Sequence, residues 1–91
     1  MLIRSQDKEM IVNVDATNHI FIGEAYRPNG SLYDVCADEM RLGYYSTKAK
    51  AMKVLDMIQK RYEEYETERI YKEGAYKIKT FQMPEDSEVG V

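Results

Sequence analysis

Four residue types that often carry chemistry are scarce in this 91-residue chain, which has one Cys, one His, two Pro and no Trp. With Cys36 alone, no intramolecular disulfide can form, which fits a reducing compartment. A structural zinc site takes about four N or S ligands at close spacing, and His19 and Cys36 do not make such a set. No metal and no cofactor are therefore expected. The chain has no P-loop, no GxGxxG and no GxSxG. No apolar run approaches the roughly 20 residues that cross a bilayer, and Met1-Leu2-Ile3-Arg4-Ser5 lacks the apolar core of a signal peptide. The expectation is a soluble, cytoplasmic protein with no membrane partner. A basic excess is also missing, with 13 Lys and Arg against 16 Asp and Glu for a net charge of −3. Nucleic-acid binding rests on phosphate neutralisation by cations, so it is not expected here.

What is present suffices for one small domain. Hydrophobic residues make up 44% of the chain, enough for a thin core. The first half reads as strands. Leu2–Ser5 and Met10–Val14 flank the charged tetrapeptide Gln6-Asp7-Lys8-Glu9, the pattern of a hairpin. A strand over His19–Tyr26 leads into Arg27-Pro28-Asn29-Gly30, the clearest turn in the chain. Ser31–Ala37 and Met40–Tyr45 follow, separated by the tight turn Asp38-Glu39. Segments spaced in this way predict an antiparallel meander of about five strands.

The period then changes. Ser46 is a suitable N-cap, and Ala51, Val54, Leu55, Ile58, Tyr62 and Tyr65 fall on one helical face. A helix from Thr47 to about Tyr71 would be roughly 37 Å long, against about 17–20 Å for the strands. It should overhang the sheet, leaving Tyr62, Tyr65 and Ile70 as a candidate oligomer interface. Gly74 is a plausible stop, and Ala75–Met83 alternates like a short last strand. The fold class is thus α+β, with a single domain over 1–83 and a flexible acidic tail over 84–91.

Candidate chemistry is sparse. His19 and Cys36 would be a nucleophilic pair if brought together, but each also reads as an ordinary strand residue. Asp34, Asp38, Glu39, Glu63, Glu64, Glu66 and Glu68 offer carboxylates for a glycosidase-like hydrolase, or else a turn and a solvated helix face. Tyrosine stands out, with eight residues against two Phe. Its rigid apolar ring and polar tip suit recognition surfaces, although a thin core also leaves aromatics half exposed. Arg4, Arg27 and Arg41, with Tyr44 and Tyr45, are the candidate binding residues for a host protein or a small anionic or nucleotide ligand. No catalytic residue is assigned, and the chain reads as a non-enzyme.

Leu42-Gly43-Tyr44-Tyr45-Ser46-Thr47 running into Val54-Leu55-Asp56-Met57-Ile58, the opening Ile3-Arg4-Ser5-Gln6-Asp7-Lys8 and the short Phe81-Gln82-Met83-Pro84 form a recurring pattern. It resembles a group of small uncharacterised proteins encoded by phages and prophages of Gram-positive bacteria. In that group a leucine-glycine-x-tyrosine strand enters a Ser/Thr-capped helix. The resemblance implies a phage accessory protein in the host cytoplasm that acts by stoichiometric binding, and the overhanging helix adds the expectation of a homo-oligomer. Anti-defence, regulatory and structural roles all remain open, and no catalytic residue is carried over.

Overall fold

The computed structural model describes residues 1–71 and 79–90, apart from the side chains of 69–71. The fold is α+β, with six strands in two three-stranded sheets and one long helix among the described residues. In the first sheet β1 (Leu2–Arg4) lies between β2 (Ile11–Asn13) and β6 (Thr80–Gln82). The second is an antiparallel meander of β3 (Ile20–Arg27), β4 (Gly30–Ala37) and β5 (Met40–Tyr45). Helix α1 spans Lys48–Tyr71.

The meander is therefore three strands long, not five. β1 and β2 form the expected hairpin, with Ile3 opposite Val12, but the other edge of β1 takes β6 in parallel, with Ile3 opposite Phe81. The expected C-terminal strand is real over Thr80–Gln82, while Gly74 and most of Ala75–Lys79 lie outside the described residues. β6 folds back beside the overhanging helix, where Phe81 shares a groove with Met57 and Arg61 and Lys79 pairs with Glu68.

Helix α1 packs on the face of β3–β5 that carries Ile20, Ile22, Val35 and Ala37. Ala51, Val54, Ile58 and Tyr65 are buried as the spacing predicts, with Leu55 and Tyr62 half-buried at the margin. Ile3, Met83 and Val89 join the same cluster, so one core serves both sheets and the helix.

Three local expectations are corrected. The helix cap is Thr47, whose Oγ1 accepts from the Lys50 N–H at 3.1 Å. Ser46 instead donates its N–H and hydroxyl to Asp86 at 2.8 and 3.0 Å. The segment expected to be a flexible tail is packed as a strap over residues 84–90. Val89 is buried, Lys50 Nζ donates to the Asp86 carbonyl at 3.0 Å, and Lys53 Nζ donates to the Gly90 carbonyl at 2.7 Å. Its composition is polar, but its backbone carbonyls supply the acceptors that the lysines of α1 need. Finally, Tyr65 is only 4% exposed within the chain itself, so it is a core residue and not a free interface residue. Tyr62 is held by a 3.0 Å hydrogen bond to Asp15 Oδ1. The Ile70 side chain lies outside the described residues.

Candidate functional site

The hairpin turn that reads as a solvated loop hides the hub of the molecule. Lys8 adopts a φ of 66°, and the Asp7 carboxylate accepts the Glu9 N–H at 2.9 Å, closing the turn locally. That geometry sends Gln6 inward. Its N–H donates to the Leu42 carbonyl at 2.7 Å. Its side-chain amide accepts from the Tyr44 N–H at 3.1 Å and donates to the Tyr44 and Pro84 carbonyls at 3.2 and 3.1 Å. A Cβ at Gly43 would sit 3.0 Å from Gln6 Cβ, so any side chain there would press on Gln6. Gln82 Nε2 donates to the Ser5 and Met83 carbonyls, which fastens β6 to the same place. Residues from three segments distant in sequence, Ile3–Lys8, Leu42–Thr47 and Phe81–Pro84, therefore meet at one structural junction.

Beside that junction, Gln6, Asp7, Arg41, Leu42, Gly43, Tyr44 and Glu85 line a shallow cleft of about 240 Å³. Arg41 and Tyr44, two of the five candidate binding residues, come together here. The cause is a bulge: Val35 faces Gly43 but Cys36 faces Arg41, so β5 carries one extra residue, Leu42. Leu42 turns into the core, while Arg41 and Tyr44 lie on the sheet face away from α1. There Arg41 Nε meets Asp34 Oδ2 at 2.9 Å. Asp34 is only 7% exposed, and its Oδ1 has no hydrogen-bond partner. A carboxylate this buried is tolerable only beside a cation, so Asp34 fixes where the Arg41 guanidinium lies. About half of the Arg41 side chain still faces solvent, and Tyr44 is 48% exposed.

The other candidates lie elsewhere. Tyr45 is buried and donates to the Pro84 carbonyl at 2.8 Å. Burial, reinforced by Glu85, Asp86 and Glu88, pushes its hydroxyl pKa far up, so it is a core residue and not a binding one. Arg4 donates to the Lys8 carbonyl at 3.0 Å and serves its own hairpin. Arg27 ends β3 at the Pro28-Asn29 turn, in a separate hollow with Leu32 and Ser46.

Of the enzyme-like combinations, the helix carboxylates Glu63, Glu64 and Glu68 line one open hollow with Lys60 and Thr67, whereas His19 and Cys36 are not joined. The His19 ring lies 5.3 Å from Phe21 and 3.6 Å from an Asp38 carboxylate oxygen. No hydrogen bond links it to Cys36, whose thiol pKa is pushed up by burial and then by Asp34, the reverse of nucleophile activation. Asp34 is committed to Arg41, Asp38 to the N–H groups of Asn18 and His19, and Glu63 to Gln59. No group of three metal-ligating side chains occurs among the described residues, and no described helix is long and apolar enough to cross a membrane.

Sequence reasoning missed Gln6, and it offered Asp34 as a candidate acid–base carboxylate, not as the partner of Arg41. Gln6 stood in a polar tetrapeptide, where a glutamine gives no inward signal. Asp34 had one available clue, an acidic residue inside the otherwise apolar run Leu32–Cys36. Comparison with protein-family models, with curated proteins and with solved structures finds no match to this chain.

Proposed function

We propose that this chain is a non-enzymatic phage or prophage accessory protein that binds a host protein through the open face of the β3–β4–β5 sheet. It acts as a homo-oligomer, and blocking host defence is the sharpest form of the role. The observation that carries the reading is the Asp34–Arg41 pair on a sheet face that α1 does not cover. Asp34 anchors the Nε edge of the guanidinium, leaving its outer N–H groups for an acceptor, and Tyr44 lines the same cleft. Arg and Tyr held rigidly near apolar surface are the residues that dominate protein interfaces. A free polyanion fits less well, because Asp7 and Glu85 line the same cleft and would repel it. The partner is therefore read as a protein surface that presents a carboxylate to Arg41 and apolar groups to Tyr44.

The test places a photocrosslinking amino acid at Tyr44, and separately at Met52, which is exposed on the helix. Expressed in a Gram-positive host, the Tyr44 probe should capture one protein species, lost in Arg41→Glu, that the Met52 probe does not. Equal capture at both positions, or capture indifferent to Arg41, would overturn the reading.

A further inference from the structure

The four sheet edges are treated unequally. β2 and β6 are three residues long, too short to template another strand. β5 is blunted, because the Gln6 amide occupies the Tyr44 N–H and carbonyl. β3 is different. It runs for eight residues, Ile-Phe-Ile-Gly-Glu-Ala-Tyr-Arg, in unbroken register with β4 and with no proline, lysine or bulge. Its other edge pairs with no strand among the described residues. A long, regular edge with a row of open N–H and carbonyl groups is what proteins normally protect. Tyr26, near its end, is 83% exposed.

We propose that β3 pairs antiparallel with β3 of a second copy, giving a continuous six-stranded sheet. The occupant is a second copy because the strand is complementary to itself in one register. A two-fold axis normal to the sheet keeps each side chain on its own face, so residues opposite each other must have the same parity. Two registers then use seven residues of β3. Centring on Glu24 places two carboxylates opposite each other, which is destabilising. Centring on Gly23 sets Phe21 opposite Ala25, Ile22 opposite Glu24, and Ile20 opposite the exposed Tyr26. Phe21 then lies diagonal to the partner's Gly23, where a Cβ would meet nothing within 4 Å and an aromatic ring has room. The pairing gives the self-association in the reading above a structural form and rests on that part of it. The crosslink at Tyr44 tests the binding face separately.

Light scattering should give a mass twice the 10.7 kDa of one chain. Gly23→Lys should give a monomer with an unchanged circular dichroism spectrum, since two lysines would face each other at the axis while each chain has space for one. In a Cys36→Ser background, Gly23→Cys should form an interchain disulfide under copper–phenanthroline, and Tyr26→Cys should not. Two Tyr26 residues would be offset by six positions, about 20 Å along the strands. A monomeric wild type, a dimer that survives Gly23→Lys, or equal linking at Tyr26→Cys would each overturn the proposal.

Discussion

The side-chain amide of Gln6 pairs with both backbone polar groups of Tyr44, accepting at 3.1 Å and donating at 3.2 Å, as a neighbouring strand would. One side chain thus ends a sheet and joins it to the next. Gln6→Ala would leave the Tyr44 groups and the Pro84 carbonyl without this partner. A loss of about 2–4 kcal/mol is expected in urea unfolding, as for a buried residue with several hydrogen bonds. A loss under about 0.5 kcal/mol would mean that water replaces the amide without cost.

Gly43→Ala tests the same junction from the other side. The added methyl would sit 3.0 Å from Gln6 Cβ, so Gln6 must shift. The expected cost is about 1–3 kcal/mol, as for overpacking. Because Gln6→Gly removes the Cβ that the methyl would meet, the double variant Gln6→Gly, Gly43→Ala should cost clearly less than the sum of the single changes. Additive effects would show that the contact carries no energy.

Along α1, burial ranks the residues in a way that spacing cannot. Ile58→Ala should cost about 2–5 kcal/mol and Leu55→Ala less than about 2, because Ile58 is buried and Leu55 only partly so. Tyr65→Glu should unfold the domain, not merely dissociate an oligomer. Tyr62→Phe removes one hydrogen bond to Asp15 at the margin and should cost about 1 kcal/mol or less. Chemical denaturation of the four variants checks the order, and a folded, soluble Tyr65→Glu protein would contradict it.

The strap gives a pH signature. The hydrogen bond from the Ser46 N–H, helped by its hydroxyl and by Lys50, holds the Asp86 carboxyl below the usual carboxylate range. A lowered folded pKa stabilises the protein above the unfolded value of about 4 and is lost as pH falls through the folded value. Wild type should therefore exceed Asp86→Asn in Tm at neutral pH. The gap should narrow below about pH 4 and close when Asp86 is protonated in both states. A constant gap down to acid pH would show that the contribution is not ionic.

Hydrophobic periodicity was enough to set strand or helix and the buried helical stripe, because Ala51, Val54, Ile58 and Tyr65 need only the 3.6-residue turn to share a face. The turns at Pro28-Asn29 and Asp38-Glu39 were legible for the same reason, since their chemistry is local. The same holds for the inventory of reactive side chains, which composition alone bounds. What required the folded chain were the contacts between residues distant in sequence. Nothing local tells Gln6 to meet Tyr44, β6 to pair in parallel with β1, or Asp86 to reach Ser46. Their partners lie 38 to 78 positions away, and a polar side chain looks the same in sequence whether it meets water or a backbone edge. Tertiary structure decided those pairings, because each satisfies a backbone or charged group that the strands and helix leave open when they pack.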